Sequence, residues 1–292
     1  MKDYFTWLAK LITMLVLLFV VAPFLAMGVG MAAKGLGPRV AVIELTGVIE
    51  DASDILKELY QASKSKDVKA IVLRVDSPGG AVAPSEEIFH AVKKLKSEKP
   101  IVVSMGSMAA SGGLYSSVSS SRIFCQPGTQ TGSIGVIMQI PNFTTIAKTV
   151  GVDMITVKSG AMKDAGNQFR PMTDEERAFL EDTAAKVHSS FIKAVAEGRN
   201  LPEDKVRSFA DGRVILGSDA LGLGLCDAIG DIYDAGREAL KLAKVELKPD
   251  ELPNLVFTKA KKGFLAKALE SSTSLPALIE QARTPTLMYL AR

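Results

Sequence analysis

The sequence has few of the residues that most often ligate metals or build disulfide frameworks. Its 292 residues include two cysteines and two histidines, and Cys125, Cys226, His90 and His188 lie far apart in the chain. No pair has metal-ligand spacing, so we predict no metal site. Cys125 lies in an apolar, strand-like run that is typical of a small buried hydrophobic residue, and a single disulfide is the alternative. The cysteines therefore do not indicate a redox compartment.

A large excess of charge of one sign is also absent. The formal net charge is +3, aromatic residues make up 6% of the chain, and no stripe of Lys and Arg is interleaved with aromatics. The chain thus lacks the electrostatic pattern of nucleic-acid-binding proteins, and we expect no nucleic-acid partner. With 47% hydrophobic and 23% charged residues, it is a folded protein that buries one large core, or a core with appendages.

One long segment has no charged residue at all. Residues 11–33 are 23 uncharged residues, which as a helix reach about 35 Å and cross a hydrocarbon core of about 30 Å. We predict a single uncleaved transmembrane anchor. The alternative is a cleaved signal peptide, but the apolar core of such peptides is only about 7–15 residues long. Lysines flank both ends of the segment, so charge alone does not set its orientation.

The rest of the chain alternates apolar strand-like runs with amphipathic stretches. This alternation indicates a parallel sheet covered by helices, and therefore an α/β fold. Strands are predicted at Val40–Leu45, Lys69–Val75, Pro100–Ser104, Arg122–Cys125, Met154–Val157 and Cys226–Ile229. Helices are predicted at Ile55–Ala62, from Gly80 to about Ser97, after Ser111, and at Phe143–Val150, Thr173–Arg199, Pro202–Phe209, Gly217–Leu225 and Asp231–Ala243.

We divide the chain into a flank (1–10), the anchor (11–33), a linker (34–39), one catalytic domain (40–245) and a C-terminal extension with a tail (246–292). The long helix at Thr173–Arg199 begins with a capping box, because Glu176 follows Thr173 at the required spacing. In the extension, short helices are predicted at 264–270 and 276–282. The last residues, Thr284–Arg292, are predicted to be extended.

The candidate nucleophile is Ser111. An apolar run from Ile101 to Val103 leads through small residues to Ser111, Gly112 and Gly113, which predicts a strand, a tight turn and a helix. Gly112 lets the backbone approach a ligand, and the N–H groups of the new helix point toward the serine hydroxyl. A nucleophile and half of an oxyanion hole need this arrangement. Taken alone, the motif also fits an ordinary turn.

The candidate base is a lysine. His90 and His188 fall inside predicted helices, which disfavours a Ser-His-Asp triad. A lysine acts as a base only when its amine is uncharged, and burial away from carboxylates favours that form. Lys163 follows three uncharged residues, but Asp164 is a risk because an ion pair would keep the amine charged. Neighbouring side chains in an extended loop usually point apart. By composition alone, Lys163 could equally be a surface lysine.

Six short motifs follow one another in fixed order along the chain: Asp76–Gly80, Ser107–Gly113, Thr131–Val136, Ser159–Asp164, Thr173–Arg177 and Asp211–Val214. Together they closely resemble the bacterial signal peptide peptidase A family. The resemblance covers roughly residues 40–240 and implies a membrane-anchored serine peptidase with a Ser-Lys dyad. It also implies a fold similar to the crotonases and caseinolytic (Clp) proteases, built from repeated strand-strand-helix units.

The resemblance assigns a role to each matching residue. Ser111 is expected to be the nucleophile, Lys163 the general base, and Ser133 the hydroxyl that orients the lysine. The backbone N–H groups of Gly80 and Gly112 are expected to form the oxyanion hole. No cofactor is implied.

The family also implies partners and a location. We expect a homo-oligomeric ring in which neighbouring protomers complete the dyad, with the catalytic domain on the non-cytoplasmic face of the bacterial cytoplasmic membrane. The expected substrates are apolar peptides such as signal-peptide remnants. The tail Leu287–Arg292 resembles such a substrate, so the chain is hypothesised to trim itself. The alternatives are a crotonase-like acyl-CoA enzyme and a non-catalytic membrane scaffold.

Overall fold

The computed structural model describes residues 37–258 and 288–291, together with residues 7, 10, 11 and 13–21. Within the predicted anchor, Leu17–Val21 form one π-helical turn. Among the described residues, no helix combines the length and apolarity needed to cross a membrane. The helices predicted at 264–270 and 276–282 lie outside the described residues.

A mostly parallel sheet is the centre of the fold. The described strands are β1 (Arg39–Thr46), β2 (Val68–Ser77), β3 (Gly79–Ala81), β4 (Ile101–Ala109), β5 (Arg122–Cys125), β6 (Gln130–Gly132), β7 (Val214–Leu216), β8 (Ala228–Ile229), β9 (Asn254–Phe257) and β10 (Met288–Leu290). The main sheet has the order β7-β6-β4-β2-β1-β9, with β5 pairing β4 and β8. Only β6 and β7 pair antiparallel within this sheet. A separate antiparallel pair joins β10 to β3.

Helices cover the sheet at the places that the amphipathic patterns predict. The described α-helices are α1 (Ser53–Lys64), α2 (Val82–Leu95), α3 (Gly112–Ser117), α4 (Thr144–Thr149), α5 (Asp174–Arg199), α6 (Glu203–Arg207), α7 (Gly217–Leu223) and α8 (Ile232–Leu242). Both hydrogen bonds of the predicted capping box at Thr173 and Glu176 are present at the start of α5. This box satisfies backbone N–H groups that have no partner within the helix.

The sheet is buried on both faces. On one face Ile43, Leu73 and Val103 join a large cluster with α1, α2 and α5. On the other, Val42 and Val72 pack in a smaller cluster with residues of α8. Neighbouring residues of a strand point to opposite faces, so a strand covered on both sides needs a continuous apolar run. The predicted α/β class is confirmed, and the parallel-dominated sheet is consistent with a Clp-protease-like fold.

One predicted strand is wrong. Met154–Val157 form no strand, and no strand among the described residues pairs with them. Ile155 and Val157 are 87% and 94% exposed. The segment has the composition of a strand, but no edge among the described strands pairs with it. The sequence pattern also missed four short strands, β3, β6, β7 and β9, which are too short or too glycine-rich to show a periodicity.

Candidate active site

The turn between β4 and α3 holds Ser111 in an unusual backbone conformation. Ser111 precedes the first residue of α3 and has φ 52° and ψ −117°, a combination that is costly for a residue with a Cβ. Two hydrogen bonds fix it: its N–H donates to the Gly132 carbonyl at 2.9 Å, and its own carbonyl accepts from the Tyr115 N–H at 2.8 Å. The surrounding structure therefore maintains a strained turn at the predicted nucleophile.

The hydroxyl of Ser111 is buried without a partner. The residue is 0% exposed, and Oγ has no hydrogen-bond partner among the described residues. A buried hydroxyl without a partner costs about 1–3 kcal/mol. Native proteins retain few such groups, and those that remain often have a functional reason. This hydroxyl is thus available to a substrate or to a group outside the described residues.

Two glycine segments approach each other beside Ser111. A Cβ on Gly112 would lie 3.1 Å from the Gly80 nitrogen, and a Cβ on Gly79 would lie 2.6 Å from the Gly112 nitrogen. Gly79 also has φ +98°, which favours glycine. Only residues without a side chain allow these backbones to pack so closely. The N–H groups of Gly80 and Gly112 therefore lie near one another, as the two donors of an oxyanion hole must.

Ser133 directly follows β6, the strand that is hydrogen-bonded to Ser111. Gly132, the last residue of β6, accepts the Ser111 N–H, and the Ser133 N–H donates to the Arg213 carbonyl at 2.8 Å. Ser133 is 7% exposed and has φ 49°. The Thr131 hydroxyl donates to the Ala109 carbonyl at 2.7 Å, which ties β6 to the end of β4. The fold thus brings Ser111, Ser133 and the two glycines into one region.

Within the described part of one chain, the Lys163 amine forms no hydrogen bond with the Ser111 hydroxyl. It lies in a 3₁₀ turn, Ala161–Asp164, and is exposed. Because Ser111 Oγ has no partner among the described residues, it forms no hydrogen bond with the Lys163 amine. The neighbouring Asp164 carboxylate bonds instead to Lys158 and Arg170. The ion pair between Lys163 and Asp164 that the sequence left as a risk is not found among the described ion pairs.

Arg170 holds the lysine-bearing segment onto the start of α5. Its guanidinium contacts the Asp164 carboxylate, with Nε 3.1 Å from Oδ2, and donates to both carboxylate oxygens of Glu176. Hydrogen bonds from Lys158 and then Arg170 lower the pKa of Asp164 to about 2. Hydrogen bonds from Arg170 and the Thr173 backbone likewise lower the pKa of Glu176 to about 2. Both carboxylates stay ionised at neutral pH, which keeps the segment ordered.

The C-terminal strand β10 lies across this region. It pairs antiparallel with β3, with Tyr289 opposite Gly80. On its other side, the Met288 N–H donates to the Ile137 carbonyl at 3.2 Å, and the Ile137 N–H donates to the Met288 carbonyl at 3.1 Å. A Cβ on Gly79 would lie 2.0 Å from the Tyr289 carbonyl oxygen and 2.6 Å from the Gly112 nitrogen. The tail backbone therefore passes directly beside the two glycine segments.

Tyr289 fills an aromatic pocket. Its ring is fully buried, stacks on Tyr115 with centroids 5.1 Å apart, and packs against Phe191 at 4.6 Å. Its hydroxyl donates to the Val187 carbonyl at 3.3 Å. Burial raises the pKa of both tyrosines, so the phenols stay neutral. Sequence reasoning missed this pocket, because Tyr115 and Phe191 come from α3 and α5 and share no local motif.

The similarity to known proteins agrees with this geometry. Residues 93–246 match the model of peptidase family S49, which is more than half of the chain. The chain belongs to peptidase family S49. A second model, for Clp protease, matches residues 39–132, the part of the family fold that contains β1 to β4 and the Ser111 turn. The two matches together cover β1 to β8 and the described helices α1 to α8 of this S49 chain.

Relatives in this family carry the names of proteases. A Synechocystis protein, "Putative protease slr0021", is 40% identical over 74% of this chain and 80% of the relative. The "Putative signal peptide peptidase SppA" of Enterococcus faecium is 34% identical over 68% of this chain and 61% of that protein. "Protease 4" of Haemophilus influenzae is 34% identical over 70% of this chain but 35% of its own length. The S49 chain is therefore a serine-type peptidase, and its resemblance to the signal peptide peptidase A family is confirmed.

Proposed function

We propose that the chain is a membrane-anchored serine endopeptidase with a Ser-Lys dyad, which hydrolyses apolar peptides such as remnants of cleaved signal peptides. One observation carries the catalytic proposal. A buried serine hydroxyl without a partner, held in a strained turn, lies beside two backbone segments that only glycine can form. Acyl transfer by a serine requires a free hydroxyl with paired N–H donors nearby.

The proposed reaction assigns a role to each predicted residue. The Lys163 amine removes the proton from Ser111 Oγ, which attacks the peptide carbonyl while the N–H groups of Gly80 and Gly112 stabilise the oxyanion. The lysine then gives its proton to the leaving amine, and the peptide bond breaks to leave an acyl ester on the serine. A water next gives its proton to the Lys163 amine and attacks the ester. The ester bond breaks, the lysine returns the proton to Ser111 Oγ, and the carboxyl product leaves. Ser133 is proposed to hold the lysine in position.

We propose that Lys163 reaches Ser111 from a neighbouring subunit of a ring. Two observations support this. The Ser111 hydroxyl lacks a partner within the described part of the chain, and Lys163 is exposed. The exposed apolar residues Ile155 and Val157 precede Lys163 and suit contact with another subunit. Such a contact would bury the amine, and burial favours its uncharged form.

The tail strand β10 supports the proposal that the substrate is extended and apolar. β10 adds to β3 as an antiparallel strand, which is a common way for a protein to bind a peptide. We propose that substrates bind in the same way and that the chain trims its own tail. The mass of the wild-type protein should then be lower than that of a Ser111→Ala variant, because residues are removed from its C-terminus. Equal, intact masses in both proteins would contradict self-processing and leave the peptidase proposal in place.

We further propose that residues 11–33 anchor the chain in the bacterial cytoplasmic membrane, with the catalytic domain on the non-cytoplasmic face. The uncharged segment of 23 residues supports this. Protease added to intact spheroplasts should digest the catalytic domain if it lies outside. Full protection, with digestion only after lysis, would place the domain in the cytoplasm.

The central experiment measures hydrolysis of an apolar fluorogenic peptide by the full chain in detergent. Ser111→Ala and Lys163→Ala should each lower kcat/KM by about 10³-fold or more, and the double variant should lose no more than the single ones, because the two groups act as a unit. Ser218→Ala and Lys148→Ala, which alter an exposed serine and an exposed lysine elsewhere, are the matched controls. Retained turnover in Lys163→Ala would remove the lysine from the mechanism. Turnover of acyl-CoA thioesters in its place would favour the crotonase-like alternative.

A further inference from the structure

The two cysteines meet in the core, 101 positions apart in the chain. Cys125 is the last residue of β5, and Cys226 lies between α7 and β8. They are 0% and 2% exposed, and their sulfur atoms are 2.7 Å apart. Non-bonded carbon atoms approach to about 3.5–4.0 Å, and sulfur is larger than carbon. The two sulfurs are therefore much closer than two packed thiols need to be.

We propose that Cys125 and Cys226 form a disulfide bond in the mature protein. An S–S bond is about 2.05 Å long, so the sulfurs must move together by about 0.7 Å from their present distance. The backbone on either side is already fixed. The Asp227 N–H donates to the Ile123 carbonyl at 2.7 Å, and the Gly230 N–H donates to the Cys125 carbonyl at 3.0 Å.

The residues around the two sulfur atoms also leave room for them to face each other. The Gly217 carbonyl lies 3.7 Å from the Cys125 sulfur and 4.0 Å from the Cys226 sulfur. A Cβ on Gly217 would lie 3.1 Å from the Cys125 sulfur and 2.0 Å from the Gln126 carbonyl oxygen. A glycine at this position thus leaves room for the pair.

The bond needs an external oxidant, which we take to be a low-molecular-weight or protein disulfide. The exchange takes place during folding, before burial closes the two thiols off from solvent. Cys125 attacks the oxidant disulfide, forms a mixed disulfide and releases one reduced thiol. The Cys226 thiol then loses its proton and displaces the second reduced thiol. Two protein thiols and one oxidant disulfide give one protein disulfide and two reduced thiols.

The bond would stabilise the loop that supports the candidate active site. After Cys125 the chain runs through Gly128 into β6, whose Gly132 carbonyl accepts the Ser111 N–H. Closing a loop of this length restricts the unfolded chain strongly. Because both sulfurs are buried, reductants reach the bond only when the fold opens. The pair is therefore a structural cross-link.

The test counts free thiols in the full chain in detergent. The protein is purified without reductant, unfolded in guanidinium chloride with iodoacetamide, and weighed by mass spectrometry. We expect no alkylated cysteine without prior reduction and two after reduction. Two alkylated cysteines without reduction would overturn the proposal, as would covalent dimers with no bond within the chain.

Matched variants keep the test independent of folding defects. Cys125→Ala and Cys226→Ala should each show one alkylated cysteine after reduction, and one alkylated cysteine or one mixed-disulfide adduct without it. Oxidation should raise the Tm of the wild-type protein by about 5 °C or more and leave the Tm of the double Ala variant unchanged. An equal shift in the double variant would overturn the stabilising role. None of these measurements uses Ser111, so they can be repeated in a Ser111→Ala background without reference to the peptidase proposal.

Discussion

The backbone geometry makes the proposed roles of individual residues beside Ser111 testable. Gly80 is one of them, because a Cβ there would lie 2.1 Å from the Ile49 carbonyl oxygen. The main chain at Ile49 cannot move aside cheaply, since Ile49 also bonds to both Gly79 and Ala81. A side chain at position 80 must therefore displace β3 and its N–H groups.

Gly80→Ala is predicted to lower kcat/KM by about 10²-fold or more through loss of an aligned oxyanion donor. It should also lower the free energy of unfolding by about 1–3 kcal/mol through overpacking. Peptide hydrolysis and denaturant unfolding measure the two effects. Gly128→Ala is the control, because a Cβ at Gly128 meets nothing within 4 Å. Wild-type activity in Gly80→Ala would exclude this N–H from catalysis.

Ser133→Ala tests the hydroxyl that is proposed to position the lysine. We expect kcat to fall by about 10- to 100-fold with little change in KM, because only the orientation of the base is lost. Ser119→Ala is a suitable comparison. It also removes a buried hydroxyl, one bonded to the Phe89 carbonyl, and it should reduce stability while activity is kept. Equal kinetic effects in both variants would argue against a positioning role for Ser133.

At the scale of secondary-structure elements, the segment that bears Lys163 depends on two carboxylates. Asp164 and Glu176 have a pKa of about 2 in the folded protein, against ordinary values of about 3.9 and 4.3. Groups with a lowered pKa stabilise the fold fully above their ordinary values. That contribution is lost as the pH falls through about 2.

We predict that residues 158–176 open to pepsin as the pH is lowered from about 4 to about 2. In Arg170→Gln the carboxylates lose their shared partner, so the same cleavage should begin nearer pH 4. Mass spectrometry of the fragments locates the cuts. Arg213→Gln, which breaks an exposed ion pair with Asp211 in another loop, should leave this segment unaffected. Identical cleavage of wild type and Arg170→Gln at every pH would contradict the role of Arg170.

The tail element is predicted to compete with added peptides. Tyr289→Ala removes the ring from the pocket of Tyr115 and Phe191, so the tail should leave more readily and the apparent KM for an apolar peptide should fall several-fold. Tyr289→Phe keeps the ring and loses only the hydrogen bond to Val187. Its KM should stay close to that of the wild type. If Tyr289→Ala left KM unchanged although mass spectrometry showed that the wild type keeps its tail, the tail would not occupy the substrate groove.

The sequence patterns predict elements well where each residue is fixed locally. Val40–Leu45 and Lys69–Val75 are strands because continuous apolar runs suit a sheet covered on both faces, and the capping box marks the start of α5. The sequence patterns fail where the pairing partner of an element is distant in the chain. Met154–Val157 has strand-like residues, but none of the strands that the structure describes pairs with it. β3 and β10 form a ladder between Gly79 and Leu290 that no local periodicity indicates.

The candidate site, like the secondary-structure elements, is predictable from the sequence only in part. Motifs in fixed order predict Ser111, Ser133 and the two glycines, and the fold places these residues in one region. The strained φ of Ser111 and its unpartnered hydroxyl depend on bonds from β6 and are not visible in the motif. The aromatic pocket around Tyr289 is also not predictable, because its walls come from separate helices.

At the scale of the whole molecule, the unpartnered Ser111 and the exposed Lys163 lead to a prediction about subunits. Ser111→Ala and Lys163→Ala proteins are each expected to be inactive. When the two are co-expressed and assemble at random, a site works if its serine comes from one variant and its lysine from the other. About a quarter of the wild-type activity should return.

A second mixture provides the control for this complementation. Ser111→Ala subunits combined with the double variant contain no nucleophile, so they should stay inactive. Analytical ultracentrifugation confirms that mixed assemblies form. Mixed rings without restored hydrolysis would show that each dyad is built within one chain.

The direction of the parallel strands sets the distance between the proposed membrane anchor and the candidate active site. The chain enters the sheet at Arg39, whose end of β1 lies beside the first residues of β2, whereas Ser111 follows the far end of β4. At about 3.3 Å per residue, the length of β4 puts some 25 Å between these two edges. The proposed anchor would hold the entry edge near the bilayer, since residues 34–38 span at most about 18 Å. A hydrophobic helix embedded in lipid would then have to be drawn out by roughly eight extended residues before its first bond could be cut, so extraction from the bilayer would have to precede hydrolysis.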